Sequence, residues 1–220
     1  MSDYDEIQNR LTLKLVYYGP ALSGKTTNLM QLHDMFSPDN KGDLMVLETK
    51  NDRTLFFDML PLGIITHTGL AIKIKLFTVP GQVAHDSTRK AVLSRADGVA
   101  FIADSQRDQG INNAESFENL ASNAARVGLD FDTIPLVVQF NKRDLAHIVT
   151  EEEVMTRWGE TPWPVYFATA LQGQGVKQTF EGLLARVYER VDTQLGLADR
   201  HRLSKTEFIN QLLGGMTGHG

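Results

Sequence analysis

The sequence predicts a three-layer α/β fold in which a mostly parallel sheet lies between two layers of helices. Apolar runs typical of buried strands alternate along the chain with amphipathic runs typical of helices, and this alternation is characteristic of such folds. Two neighbouring strands, 62–67 and 71–79, are joined at Thr68-Gly69 and predict a hairpin with one antiparallel strand. The 220 residues, 42% hydrophobic and 22% charged, suffice for one globular core.

The strands and helices follow one another in a regular order. Short apolar runs predict about six strands, at 11–18, 62–67, 71–79, 99–103, 134–140 and 165–168. A mixed stretch at 41–60 contains one further apolar piece at 44–47. Apolar residues at helical spacing predict helices at 25–36, at 114–127, from Thr150 onward and at 176–191. We interpret all of these stripes as core packing.

The C-terminal part of the chain forms a separate segment in this interpretation. The core fold needs nothing beyond about residue 195, so we divide the chain into a domain at 1–195 and an extension at 196–220. Ser204 and Glu207 have the spacing of a capping box, which predicts a short helix at about 204–213 and a flexible tail after it. We expect its apolar face to dock on its own domain, with a partner or a membrane surface as the alternative.

Composition excludes several classes of function. A formal net charge of −5 argues against nucleic acid as a partner, because proteins that bind it usually carry a basic stripe. The absence of cysteine excludes disulfides, thiolate metal sites and lipid anchors on cysteine. The acidic N-terminus does not resemble a signal peptide, and no apolar run approaches the ~20 residues of a membrane span. We therefore expect a cytoplasmic protein with no direct membrane anchor.

A phosphate-binding loop is predicted between the first strand and the first helix. The run from Gly19 to Thr26 fits the spacing G-x-x-x-x-G-K-[ST], in which glycines let backbone N–H groups line a concave surface at a helix N-terminus. We expect Lys25 to contact the β- and γ-phosphates of a nucleotide and the Thr26 hydroxyl to bind Mg²⁺. The other predicted phosphate contacts come from Gly19, Ala21, Leu22, Ser23, Gly24 and Thr27. The alternative is a glycine-rich turn without a ligand.

A second motif identifies the base as guanine. The run from Asn141 to Asp144 has the pattern N-K-x-D and directly follows a strand. The Asp144 carboxylate can accept hydrogen bonds from N1–H and the 2-amino group of guanine, a pair of donors that adenine lacks. Asn141 would tie this loop to the phosphate loop, and the stem of Lys142 would lie over the ring. The ligand predicted is therefore GTP or GDP rather than ATP.

The segment after the last predicted strand completes the guanine pocket. Ala168, Thr169 and Ala170 stand there, and a backbone N–H in this segment can donate to O6 of guanine. Because the donor is a backbone group, the position of this segment after the strand matters more than the identity of its side chains.

With these motifs, the chain resembles the small Ras-like GTPases over residues 11 to about 192, and most closely the bacterial MglA-type group that works in cell polarity and motility. Four blocks carry the resemblance in the same order: Tyr17 to Asn28, Asn51 to Asp58, Thr78 to Gln82 and Asn141 to Asp144. The resemblance implies the P-loop GTPase fold. It also implies a GTP-binding switch that hydrolyses GTP slowly to GDP and phosphate with Mg²⁺.

The resemblance assigns roles to residues outside the two nucleotide motifs. Thr54 would contact nucleotide and Mg²⁺ in the GTP state, and the N–H of Gly81 would contact the γ-phosphate. Gln82 would orient the attacking water, and Arg53 would stabilise the transition state in cis. The alternatives are a surface glutamine at position 82, and a surface salt bridge or partner contact at Arg53.

One block departs from the general pattern of Ras-like GTPases. Most have D-x-x-G where this chain has Thr78 to Gly81, so the aspartate that usually holds Mg²⁺ through water is replaced by a neutral hydroxyl, a weaker partner. The replacement is typical of the MglA-type group. Asp104, at the end of the next strand, is a candidate substitute carboxylate. GTP and Mg²⁺ would order 51–58 and 81–93, and hydrolysis would release them.

The resemblance also implies partners. They are a roadblock-domain regulator of the MglB type and effectors that bind the GTP state, with the protein itself a monomer that partners recruit to a cell pole. Two alternatives stay open. One is a non-hydrolysing, nucleotide-dependent binding or scaffold module in which Thr78 weakens Mg²⁺ binding. The other is an ATP-dependent P-loop enzyme, which Asp144 disfavours.

Overall fold

A computed structural model of the chain describes residues 3–48, 56–81, 86–214 and 216. Within them, the strands are β1 (Asp3–Asp5), β2 (Arg10–Tyr18), β3 (Met45–Glu48), β4 (Phe56–Ile65), β5 (Ala71–Thr78), β6 (Gly98–Asp104), β7 (Leu136–Asn141) and β8 (Val165–Phe167). The helices are α1 (Lys25–Met35), α2 (Asp86–Leu93), α3 (Gly110–Arg126), α4 (Glu151–Trp158), α5 (Val176–Leu195), α6 (Leu197–Arg200) and α7 (Lys205–Leu213).

All of the described strands belong to one sheet. Its order is β3-β4-β5-β2-β6-β7-β8, and β1 pairs with β2 outside this path. The neighbouring strands β5, β2, β6, β7 and β8 run parallel. Strand β4 is antiparallel to both β3 and β5. The predicted fold class is confirmed.

The sheet extends further than the sequence pattern predicted. β1 and β3 have three and four residues, which is too short for a reliable alternation of apolar and polar residues. β4 begins at Phe56, six positions before the predicted start. Asp58 and Pro61 interrupt its apolar pattern, and neither is favoured in strands.

The parallel topology gathers the sequence motifs at one edge of the sheet. The phosphate loop follows β2, Asp104 ends β6, Asn141 ends β7, and Ala168 follows β8. Because these strands are parallel, their carboxyl ends meet at the same edge, where ligands of open α/β sheets bind. Segments more than 100 residues apart in the chain thus become neighbours.

The sheet separates two hydrophobic cores. Leu11, Leu13 and Leu15 of β2 face the core that α1, α5 and α7 cover, whereas Val16 and Tyr18 face the core beneath α2, α3 and α4. The alternation follows from the two-residue period of a strand. Across the described ranges, no helix combines the length and the apolar character that crossing a membrane requires.

The C-terminal helix packs on the same chain. Helix α5 ends at Gly196, whose φ of 65° reverses the backbone, and Ser204 and Glu207 form the predicted capping box at the start of α7. Phe208 is fully buried and joins the core beneath α5, and the Tyr188 hydroxyl donates to the Leu203 carbonyl at 2.7 Å. The predicted C-terminal helix is confirmed. The domain boundary at 195/196 stays a prediction, and the tail at 215 and 217–220 lies outside the described residues.

We predict that Phe208→Ala lowers the free energy of unfolding by about 3 kcal/mol or more, because deletion of a buried aromatic ring leaves a cavity. Urea unfolding followed by circular dichroism measures the change. Ile111, which is 73% exposed, provides a control, since Ile111→Ala should change stability by about 0.5 kcal/mol at most. Equal stabilities for the two variants would contradict the docking of α7.

Candidate nucleotide-binding site

The backbone of the phosphate loop requires glycine at both of its ends. Gly19 has φ 148°, and a Cβ there would lie 2.2 Å from the Ile102 carbonyl oxygen. Gly24 has φ 95°, and its Cβ would lie 2.2 Å from Nδ2 of Asn141. Any other residue at Gly19 would collide with the backbone of β6, and any other residue at Gly24 would displace the amide of Asn141. The loop therefore lies flat on the ends of β6 and β7, with the N-terminus of α1 directly after it.

The Lys25 side chain lies within the phosphate loop. It is 7% exposed, and its ammonium donates to the carbonyls of Gly19 at 3.1 Å and Pro20 at 2.6 Å. Burial, together with repulsion from Arg89, lowers the pKa of Lys25 to about 7, while Asp58 acts in the opposite direction. Phosphate oxygens would give this ammonium a full counter-charge, so the loop is electrostatically suited to an anion.

A carboxylate lies beside the hydroxyl that the sequence assigns to Mg²⁺. Oγ1 of Thr26 donates to Oδ2 of Asp58 at 2.5 Å, and Oγ1 of Thr78 donates to the same oxygen at 3.1 Å. The Asp58 backbone N–H in turn donates to Oγ1 of Thr78 at 2.9 Å. Thr78, which the family resemblance places at the position of the usual D-x-x-G aspartate, therefore holds a carboxylate supplied by β4.

Asp58, and not Asp104, is the carboxylate next to Thr26. Oδ2 of Asp104 accepts from Nζ of Lys142 at 2.6 Å, so Asp104 belongs to the guanine side of the site. The sequence did carry a signal for Asp58. It occupies an inward position of β4 in alternation with the buried Leu60, and a buried carboxylate requires a polar partner.

The residues at this position fit a magnesium ion. The described part of the chain contains no group of three or more His, Cys, Asp or Glu side chains placed to hold a metal. Mg²⁺ in nucleotide sites does not need one, because phosphates and water supply most of its oxygen ligands. The Thr26 hydroxyl and the Asp58 carboxylate are oxygen groups of the type that Mg²⁺ prefers.

One buried side chain joins the three loops of the guanine side. Nδ2 of Asn141 donates to the Ser23 carbonyl at 2.9 Å, and its Oδ1 accepts from the Ala170 N–H at 2.9 Å. Asn141 is 2% exposed. The phosphate loop, the N-K-R-D segment and the segment after β8 thus share a single amide group, and the predicted residues of all three come together.

The remaining guanine-side residues differ in exposure. Asp144 is exposed, and no described residue bonds its carboxylate, which leaves both oxygens available as acceptors. Ala168 and Thr169 are buried, and the Ala168 carbonyl accepts from the Arg143 N–H at 3.1 Å. Lys142 has φ 67°, and its ion pair with Asp104 restrains its stem. The N-K-R-D segment is therefore anchored at the two residues directly before Asp144.

A second buried network, which the sequence interpretation missed, fixes the start of α1. Nδ2 of Asn28 donates to the Gly24 carbonyl at 2.9 Å, and Nε2 of Gln139 donates to Oδ1 of Asn28 at 3.0 Å and to Oγ1 of Thr179 at 2.7 Å. A glutamine within the apolar strand β7 was the available signal. The network links α1, β7 and α5 behind the phosphate loop.

The predicted residues of the γ-phosphate side are only partly described. Arg53, Thr54 and Gln82 lie outside the described residues, so their roles stay predictions. Gly81 is described, and a Cβ on it would lie 2.2 Å from Cα of Ala21. Its backbone therefore packs directly against the phosphate loop. Leu22 is 88% exposed, and Thr27 lies at the start of α1.

The fold, the phosphate loop and the guanine side define a small GTPase of the P-loop class. The model of the ADP-ribosylation factor family matches residues 4–187, and the chain belongs to this family. The chain is 44% identical over 183 residues to the Mutual gliding-motility protein MglA of Myxococcus xanthus (strain DK1622), which covers 83% of this chain and 94% of that protein. It is 22% identical over 157 residues to the ADP-ribosylation factor-like protein 3 of Chlamydomonas reinhardtii, covering 68% and 86% of the two chains.

These similarities confirm the resemblance that the motifs indicated. The chain is a GTPase, a hydrolase that binds guanine nucleotide. Its MglA-like character rests on an identity that extends along most of both chains, and not on the short motifs alone.

We predict that Asn141→Ala lowers the free energy of unfolding by about 2–4 kcal/mol even without added nucleotide, because it leaves the buried Ser23 carbonyl and Ala170 N–H without a partner. Urea unfolding measures the loss. Asn112→Ala, at an exposed position of α3, is the control and should change stability by about 0.5 kcal/mol at most. A wild-type stability for Asn141→Ala would show that the three loops are held together by other contacts.

Proposed function

We propose that this protein is a molecular switch that binds GTP, hydrolyses it slowly with Mg²⁺, and controls cell polarity or motility through a surface that effectors recognise in the GTP state. The observation that carries the proposal is the Asn141 amide, which bonds both the Ser23 carbonyl and the Ala170 N–H. A base-recognition loop tied to a phosphate loop in this way favours one ligand that spans both.

The proposed binding mode gives each predicted residue one task. Lys25 holds the β- and γ-phosphates, with Gly19, Ala21, Leu22, Ser23, Gly24 and Thr27 around them. The backbone N–H of Gly81 contacts the γ-phosphate. Asp144 accepts from the guanine edge, with Asn141, Lys142, Ala168 and Thr169 closing the pocket. Thr26 and Thr54 would hold Mg²⁺ as direct ligands, and Asp58 would orient the water around it. When bound, Mg²⁺ neutralises phosphate charge and polarises the oxygens of the transferred group.

The proposed hydrolysis depends on two side chains from the loops beside the phosphates. Gln82 would orient the water that attacks the γ-phosphate, and Arg53 would stabilise the charge that develops on the transferred group. We expect hydrolysis to be slow without a partner, because a regulator would have to fix both loops in the reactive arrangement.

The proposed cellular role and partners come from the relative and not from the chemistry. The name of the Myxococcus xanthus protein states that it acts in gliding motility, and its identity to this chain supports a similar role. We propose a roadblock-domain regulator of the MglB type and effectors specific for the GTP state. We further propose a monomer that works in the cytoplasm and that partners recruit to a cell pole.

The second candidate function is a non-hydrolysing, nucleotide-dependent binding module. The neutral Thr78 favours it, because a hydroxyl holds the water around Mg²⁺ less strongly than a carboxylate does. The contact of Asp58 with Thr26 and Thr78 favours the switch instead, since a carboxylate stands beside the proposed metal ligand.

The identity of the base is tested by Asp144→Ala. We expect affinity for GTP to fall by roughly 100-fold or more, because two hydrogen bonds to a charged acceptor are lost, while the weak affinity for ATP stays the same. Fluorescent analogues of both nucleotides measure the affinities. Asp108→Ala, at an exposed position four residues after Asp104, should leave both unchanged. A wild-type protein that prefers ATP would overturn the proposed ligand.

The role of Asp58 is tested by Asp58→Asn. We expect the midpoint of the Mg²⁺ titration, the concentration at which GDP release has slowed by half of its full change, to rise by about 10–100-fold. This is the usual effect of removing a group that orients metal-bound water. Release of fluorescent GDP, titrated with Mg²⁺ against EDTA, gives the midpoint. Asp104→Asn is the matched comparison and should leave the midpoint unchanged. The reverse outcome would assign the metal to the Asp104 side.

Single-turnover hydrolysis of GTP separates the switch from the binding module. We expect Arg53→Ala to lower the rate by about 10³-fold or more, because charge stabilisation by an arginine is a large part of catalysis in this class. Gln82→Leu should also slow hydrolysis, and neither change should alter GDP affinity. A hydrolysis rate that both variants leave unchanged would support the binding module.

A further inference from the structure

Arg89 is a buried cation that neither the motifs nor the proposed mechanism uses. It lies on α2 and is the largest fully buried side chain among the described residues, with no exposed surface. Its guanidinium donates to three oxygens: Nε to the Pro80 carbonyl at 2.9 Å, Nη2 to the Gly81 carbonyl, and Nη1 to Oδ1 of Asn119 at 2.7 Å. The first two of these oxygens are backbone carbonyls that directly precede residue 82.

Within the described residues, the charge of Arg89 is compensated without an ion pair. None of the carboxylates in the described part of the chain forms an ion pair with it. The guanidinium lies over the ring of Tyr18 at 5.3 Å, and carbonyl dipoles supply the rest of its stabilisation. An apolar side chain of similar length would fill this space without desolvating a charge. The hydrogen bonds that the guanidinium donates are therefore the reason for a cation at this buried position.

Asn119, the side-chain acceptor of the Arg89 guanidinium, is held in place on α3. Oδ1 of Asn119 also accepts from the Tyr18 hydroxyl, and its Nδ2 donates to Oδ1 of Asp86 at 3.1 Å. Nδ2 of Asn123, one turn further along α3, donates to the same oxygen of Asp86 at 2.7 Å. The guanidinium thus connects the Pro80-Gly81 backbone to a braced position on α3.

The contact with Pro80 fixes the direction of the Gly81 N–H. The peptide unit between Pro80 and Gly81 is planar and trans, so its C=O and N–H point in opposite directions. Because the C=O points at Arg89, the N–H points away from α2. Gly81 also packs against the phosphate loop, where a Cβ would lie 2.2 Å from Cα of Ala21.

We propose that Arg89 is a positioning residue that fixes the Gly81 N–H for the γ-phosphate and so allows the site to distinguish GTP from GDP. The inference rests on the proposed function, in which Gly81 contacts that phosphate. Arg89 itself touches no phosphate and acts through the backbone. Since a γ-phosphate is present in GTP alone, loss of this positioning weakens GTP binding and leaves GDP binding nearly unchanged.

The test compares affinities for fluorescent GDP and for a fluorescent, non-hydrolysable GTP analogue, both with Mg²⁺. In Arg89→Met, the GTP analogue should lose about tenfold more affinity than GDP, the usual effect of misplacing one hydrogen bond to a charged group. Arg89→Lys should restore part of the preference, because an ammonium can still donate to a carbonyl but cannot span all three acceptors. Asn119→Ala leaves the guanidinium in place. It should shift the ratio of the affinity for the GTP analogue to the affinity for GDP in the same direction, but by less.

Tyr188→Phe separates positioning from general stability. It removes the buried hydrogen bond to the Leu203 carbonyl, far along the chain from the phosphate loop, so it should lower the melting temperature with the ratio of affinities unchanged. An unchanged ratio in both Arg89→Met and Asn119→Ala would overturn the inference while leaving the proposed function intact. Failure of the wild-type protein to bind either nucleotide would overturn the proposed function, and the inference with it.

Discussion

The hydrogen bond from Asn141 to the Ser23 carbonyl is the interaction on which the rest of the site depends. It joins the end of β7 to the phosphate loop across 118 positions of sequence, and it leaves no room for a Cβ at Gly24. The other end of the same amide holds the segment after β8. Because the parallel sheet brings these three loops to one edge, a single side chain can set the distance between base and phosphate sites.

The charges around the buried Lys25 determine the electrostatics of the phosphate loop. Arg89 on α2 repels the ammonium of Lys25, and Asp58 is the opposite charge that acts on Lys25. Burial of Lys25 in a small cage of carbonyls costs stability unless an anion compensates for it. A ligand that brings phosphate to this loop therefore stabilises the fold as it binds. Binding and stability are coupled at the same residues.

The sequence predicted the parts of the molecule that local pattern controls. Alternating strands and helices, the phosphate loop and the N-K-R-D segment are contiguous, so their residues could be named without coordinates. Asp58 and Arg89 could not be assigned in this way. Asp58 meets Thr26 at 32 positions and Arg89 meets Asn119 at 30 positions along the chain, and both contacts depend on strand register and helix packing. Asp104 was a reasonable candidate by position, but its side chain turns to Lys142. Arg53, Thr54 and Gln82 stay predictions.

We propose that this GTPase changes its surface with the state of its nucleotide. Hydrogen–deuterium exchange with Mg²⁺ and either GDP or a non-hydrolysable GTP analogue tests it most directly. We expect the GTP analogue to protect backbone amides selectively in 51–58 and 81–93, with exchange in β6 and β7 unchanged between the two states. Identical exchange across the whole chain in both states would contradict it.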